Sequence, residues 1–290
     1  MSKKETRPGK TSRGGERRGS RSPSRSTSRG PSREGRPLEK EEFLKLLQGK
    51  LQEKYQDKHP LMLMLYSGKL TPKQLRAWII NRFYLQKNIP LKDAAILSNC
   101  PETEVRRLWI GRILKREGLG GSIGDVEGWI GFAESAGIAR DDVLRARCLP
   151  GVRFAIDGYV NFARKADWTE GVAASLIEYF AKGELIKRIE AFKRHYPWIE
   201  PEGYRFFMSR LGQLDEANET TLRIVLRYCK TREMQLRAID AAVSMADIRG
   251  NLSGVRGRRS LLGGPPRGPV PNNWARERHL LRSVVTKIRP

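Results

Sequence analysis

The stretch that decides the fold is Thr71-Pro72-Lys73-Gln74-Leu75-Arg76-Ala77-Trp78-Ile79-Ile80-Asn81-Arg82-Phe83-Tyr84-Leu85-Gln86-Lys87-Asn88-Ile89-Pro90. It opens on a hydroxyl cap followed by proline, the pairing that suits a helix start. Leu75, Trp78, Ile79, Phe83 and Gln86 then recur at helical spacing, and Pro90 is expected to break or kink the helix because it lacks an N–H. Working outward, Phe43, Leu44, Leu47 and Leu51 form one stripe between Leu38 and Tyr55. Pro101-Glu102-Thr103-Glu104 opens another helix with acid in its first turn, where the helix dipole favours it. Gly118, Gly120, Gly121 and Gly137 punctuate the next connections. Further helices are predicted near 125–136, 153–166, 169–181, 183–194, 201–229 and 232–250. No alternating run bounded by turns suggests a strand, so the fold class is all-α.

Charge divides the chain into three. The 290 residues carry a formal +24, of which +9 lies in residues 1–38 and +8 in residues 253–290. The body between them is only mildly basic. Residues 1–37 are an Arg/Ser-rich tail whose lack of large apolar side chains predicts disorder. Residues 38–252 make the helical domain. Residues 253–290 begin as a Gly/Pro/Arg-rich linker, and Trp274 to Ile288 can form a short basic helix. The tails suit a non-specific contact with nucleic acid or another polyanion, and a merely solubilising role is the plainer alternative. There is no secretory signal and no apolar run of the roughly 20 residues a bilayer demands, so a cytoplasmic location is expected. Cys100, Cys148 and Cys229 form no CxxC pair and no disulfide framework.

Three runs carry a more specific signal: Asn81-Arg82-Phe83-Tyr84 continuing to Ile89-Pro90-Leu91-Lys92-Asp93-Ala94-Ala95, then Leu149-Pro150-Gly151-Val152-Arg153-Phe154-Ala155, then His195-Tyr196-Pro197-Trp198-Ile199. In order and spacing, from about Lys50 to Leu252, they resemble the pyrroloquinoline-quinone (PQQ) synthase family. The resemblance implies a compact haem-oxygenase-like helical fold, usually a homodimer. It also implies an internal pocket in which a quinol precursor bearing several carboxylates is ring-closed and oxidised by O2. Neither a metal nor an organic cofactor is implied, and O2 is the co-substrate of any active member.

That chemistry makes two demands. Carboxylates must be clamped, for which the guanidinium fork is suited, and protons must be moved by groups of suitable pKa. The clamp is largely present. The resemblance places Arg82, Gln86, Lys92, Arg112, Glu178, Arg188 and Arg210 at substrate-binding positions, with Tyr55 beside them. For any single arginine a solvated charge is the plain alternative. Arg82, Lys92, Arg188 and Arg210 are expected to converge on one cavity.

The proton-handling residues are replaced. Gln56, Arg116 and Leu185 stand where the family has histidine, Leu85 and Phe206 where it has tyrosine, and Met245 where it has lysine. No catalytic residue can therefore be assigned. With only His59, His195 and His279 in the chain, no metal centre is expected, and His195 is read as a hydrogen-bonded packing residue. Three readings remain open: an enzyme of PQQ formation, a non-catalytic binder or carrier of PQQ or another polycarboxylate, and a partner of an intact synthase.

Overall fold

A computed structural model describes residues 35–253 except 53, 55–58 and 122, and the backbone alone for 249–253. Residues 1–34 and 254–290 lie outside the described residues, as do Tyr55 and Gln56. The described residues are helical and contain no strand. In chain order the helices are α1 (Lys40–Gln52), α2 (Pro60–Tyr66), α3 (Pro72–Asn99), α4 (Thr103–Glu117), α5 (Asp125–Ser135), α6 (Arg140–Arg145), α7 (Pro150–Lys165), α8 (Trp168–Ala173), α9 (Ala181–His195), α10 (Arg205–Tyr228) and α11 (Arg232–Ser253). Two 3-10 segments, Ala174–Phe180 and Pro201–Tyr204, lead into α9 and α10.

Helix α3 begins where Thr71-Pro72 places it. The Thr71 hydroxyl accepts from the Gln74 backbone N–H at 3.3 Å, and the Gln74 side chain accepts from the Thr71 N–H at 2.9 Å. This reciprocal box satisfies two of the donors that a helix start leaves without partners. Of the break or kink expected at Pro90, the break does not occur: α3 runs on to Asn99, with Pro90 buried in its interior. One backbone hydrogen bond is given up there. Buried side chains on both sides of the proline, Leu85, Ile89, Ala95 and Ile96, hold the helix through it. The segment read as one helix over 169–181 is also corrected, into α8 and the 3-10 segment that follows.

At 28 residues, α3 is about 42 Å long and contributes to three apolar clusters. Its first half, through Trp78, Ile79 and Phe83, packs with Trp129, Phe132, Phe192, Phe206 and Phe207 from α5, α9 and α10. Edge-to-face rings join that cluster, Trp129 to Phe206 at 5.4 Å and Phe132 to Phe207 at 4.8 Å. Its second half, through Ala95 and Ile96, joins the cluster built from α1, α4, α7, α8, α10, α11 and the first 3-10 segment. In the middle of α3, Leu85 and Ile89 form a smaller cluster with Val152, Ala155 and Ile156 of α7, and the buried charged residues Arg82, Lys92 and Asp93 flank it. No helix of the described residues is long and apolar enough to cross a membrane.

Candidate functional site

The middle of α3 presents Arg82, Leu85, Gln86 and Ile89 to a cavity completed by Arg116 of α4, Trp129 of α5, Glu178, and residues of α9 and α10. The α9 and α10 contribution includes Glu184, Leu185, Arg188, Phe206, Phe207 and Arg210. The space inside measures about 570 Å³ with its mouth included.

Arg116 is the centre of the charged wall, and it is 2% exposed. Its Nε lies 2.8 Å from Asp93 Oδ2, its Nη1 2.6 Å from Asp125 Oδ2, and its Nη2 2.8 Å from Glu178 Oε1. All three sides of the guanidinium are thus taken by carboxylates. Arg112, one turn earlier on α4, donates to Glu178 at 3.0 Å and to Asp93 at 3.3 Å. Arg210 reaches Glu178 at 3.4 Å and stands 3.9 Å from Asp125. Burial would raise the Glu178 carboxyl, but Arg116, Arg112 and Arg210 outweigh it and hold Glu178 well below the usual range. Asp93 is likewise lowered: burial works upward, and Lys92, Arg112 and Arg116 overcome it. For Arg116, burial works downward and is overcome by Glu178, Asp125 and Asp93, so the guanidinium holds its proton more firmly than usual.

Asp125 is aimed at Arg116 by a tight crossing of glycines. Gly118 caps α4 in the left-handed conformation (φ 85°), and Gly124 precedes α5 at φ 79°. A Cβ on Gly124 would come within 2.8 Å of the Gly118 nitrogen, so only glycine lets the two helix ends meet this closely.

The residues singled out from sequence are distributed as follows. Arg82, Gln86, Glu178, Arg188 and Arg210 line the cavity. The Arg82 and Arg188 guanidinium carbons stand 5.8 and 5.7 Å from the Trp78 ring centroid, within reach of cation–π attraction. Lys92 is not among the lining residues. It is completely buried behind them, ion-paired to Asp93, donating to Ser175 Oγ at 2.9 Å and lying over Tyr159 at 5.4 Å. Burial pushes its ammonium down to about 8, against the pull of Asp93. Arg112 also stands behind the wall, stacked on Trp109 at 5.2 Å. So three of the four cations expected at the cavity line it, and Lys92 serves the network behind.

Of the substituted positions, Leu85, Arg116, Leu185 and Phe206 line the cavity. Met245 is packed in the core cluster of α1 and α11, 1% exposed. Gln56 and Tyr55 fall outside the described residues. His195, read as a hydrogen-bonded packing residue, is exposed in the last turn of α9, where its ring packs against Gly68. Among the described residues no group of three or more His, Cys, Asp or Glu is arranged to hold a metal ion.

Asp93, Asp125 and Glu184 were not singled out from the sequence. Asp93 had a usable signal, because Arg82, Gln86, Ile89 and Asp93 follow each other at spacings of four, three and four and so share one face of α3. Asp125 had none beyond being an acid in the first turn of a helix.

Across the lining, four guanidiniums (Arg82, Arg116, Arg188, Arg210) face two carboxylates (Glu178, Glu184). An enclosed wall with net positive charge favours an anionic occupant.

The comparisons agree with this architecture. The TENA/THI-4/PQQC family model matches residues 44–244. A pyrroloquinoline-quinone synthase from Pseudomonas aeruginosa (strain LESB58) is 49% identical over 195 residues, covering 67% of this chain and 78% of the relative. One from Cronobacter sakazakii is 45% identical over the same shares. Among solved structures, a domain of unknown function with a haem oxygenase-like fold from Shewanella denitrificans matches with a TM-score of 0.64 at 13% identity. That match covers 80% of this chain and 99% of the other. A TenA homologue from Pseudomonas syringae matches at 0.58, with 13% identity, 74% of this chain and 94% of the other. These two likenesses establish the fold. Taken with the sequence matches, they show that this chain is a pyrroloquinoline-quinone synthase-like member of the TENA/THI-4/PQQC family.

Proposed function

We propose that the cavity binds a polycarboxylate of the PQQ type, PQQ or its quinol precursor, and that the family's oxidation of that precursor is lost or greatly slowed. One observation carries the reading. Arg116 occupies the position where the family resemblance puts a histidine, and it is held on three sides by Asp93, Asp125 and Glu178. An arginine keeps its proton to above about pH 12, and here the surrounding carboxylates strengthen that hold. Such a group can neither accept nor release a proton during turnover.

The neighbouring positions supply no replacement. Leu85, Leu185 and Phe206 present hydrocarbon to the cavity. The Phe206 ring is packed against Gly128 and Trp129 and carries no hydroxyl. Loss of one general acid or base costs about 10²–10⁴-fold in rate, and groups that act as a unit fail together rather than additively. The anion-binding side of the site is retained in Arg82, Arg188 and Arg210. The relatives named pyrroloquinoline-quinone synthases support the ligand class.

Calorimetric titration of the full chain with PQQ tests the binding half. Saturable binding that weakens in Arg188→Ala and Arg210→Ala is expected. An absence of binding, or an affinity indifferent to both substitutions, would overturn the reading.

A further inference from the structure

Trp78 stands behind the cavity wall, 1% exposed, and is not one of the lining residues. Two lining guanidiniums nevertheless share its ring: the Arg82 and Arg188 guanidinium carbons lie over it, 5.8 and 5.7 Å from the centroid. The register of two helices brings this about. On α3 Trp78 precedes Arg82 by four residues, and on α9 Arg188 precedes Phe192 by four, so each pair shares one helix face. The Trp78 and Phe192 rings meet at 6.5 Å and join the two helices. Trp129 closes edge-on against Trp78 at 5.6 Å. Packing thus fixes the indole at the point where α3 and α9 present their arginines.

We infer that Trp78 is a positioning residue for ligand binding, which aims Arg82 and Arg188 into the cavity through its ring. This rests on the polycarboxylate reading above and deepens it. A carboxylate that holds a guanidinium takes in-plane N–H donors and cancels charge, as Asp93, Asp125 and Glu178 do around Arg116. An aromatic ring attracts the cation through its face instead. That contact uses no N–H and leaves the charge in place, so the fork remains suited to a ligand carboxylate. It also offsets part of the repulsion between two cations gathered at one end of the cavity. Besides the ring, Arg188 has Glu184 Oε2 at 3.8 Å and Met62 Sδ at 4.0 Å from its Nη2. Both are loose beside the contacts of 2.6–2.8 Å that enclose Arg116.

The test is a double-mutant cycle read by PQQ affinity. Calorimetric titration of the full chain compares the wild type with Trp78→Leu, with Arg188→Gln and with the two combined, and Arg82→Gln is treated in the same way. Trp78→Leu should weaken PQQ binding by about tenfold, the scale of a desolvated cation–π contact. It should cost clearly less where the arginine is already glutamine. Trp78→Phe, which keeps an aromatic face, should recover part of the affinity. Because loss of a buried tryptophan can unfold a chain, a second measurement keeps the indole. Fluorinated tryptophans placed at position 78 withdraw charge from the ring face with little change of shape. PQQ affinity should fall stepwise from one to three fluorines while the melting temperature stays level. An affinity indifferent to fluorination overturns the inference, and so do tryptophan and arginine losses that simply add; either result leaves Trp78 as packing alone. If the wild-type chain does not bind PQQ, the polycarboxylate reading fails and the inference with it, a result distinct from binding that ignores Trp78.

Discussion

Arg116 meets Glu178 with one guanidinium nitrogen bridging both carboxylate oxygens, Nη2 standing 2.8 Å from Oε1 and 3.1 Å from Oε2. The contact joins α4 to the 3-10 segment before α9 across one wall of the cavity. It also ties Arg116 to the carboxylate that Arg112 and Arg210 share. A buried ion pair of this kind is costly to break from one side, because the partner is left charged and desolvated.

Arg116→Leu is therefore expected to destabilise the chain by about 3–5 kcal/mol, since three carboxylates lose their common partner. Arg116→Lys keeps the charge but not the planar fork and should cost less. Urea denaturation at neutral pH measures both. A leucine variant as stable as the wild type would show that the cage is not holding the fold together.

The same network sets an acid limit. Glu178 and Asp93 are held below their ordinary range in the folded chain, while in the unfolded chain they titrate near 4. A depressed carboxylate contributes stability that is fully present above the unfolded value and is lost as pH falls toward the folded one. The urea midpoint should thus be insensitive to these groups at neutral pH and decline below about pH 4. In Glu178→Gln the decline should be shallower. An identical pH profile in that variant would contradict the assignment.

Lys92 and Arg188 should separate stability from binding. Arg188 lines the cavity, so Arg188→Ala should weaken PQQ binding by about 2–3 kcal/mol, the cost of a charged hydrogen-bond contact. Lys92 lies behind the wall against Asp93 and Ser175. Lys92→Met should change PQQ affinity by less than about tenfold, or 1.4 kcal/mol, while lowering thermal stability, because Asp93 keeps its charge with one partner fewer. Calorimetry and thermal melting on both variants decide the point. A Lys92 variant that loses binding but not stability would place its ammonium at the ligand.

Much of this fold is legible in the sequence because its signals are local. The stripe Phe43, Leu47, Leu51 is buried as its spacing predicts, and Thr71-Pro72 caps α3. What was not legible depends on contacts between distant segments. The helix persists through Pro90 because tertiary packing outweighs one missing hydrogen bond, and no local rule reports that packing. Arg116 could be recognised as a substitution, but its partners could not, since Asp125 and Glu178 reach it from other elements. Lys92 is a case of the same kind. Its position on the buried face of α3 is readable, yet which side of the wall its ammonium serves depends on Asp93 and Ser175. Glu184 offered only an acid in a helix's first turn, a feature that the dipole alone explains.

Oxygen-electrode turnover of the quinol precursor by the purified chain tests the central claim most directly. With Arg116 fixed in its cage and hydrocarbon at Leu85, Leu185 and Phe206, oxygen consumption should be indistinguishable from the protein-free rate, even where calorimetry shows the chain saturated with ligand. Rapid oxygen uptake that forms PQQ would contradict the account and mean that another group, or bound water, moves the protons in this cavity.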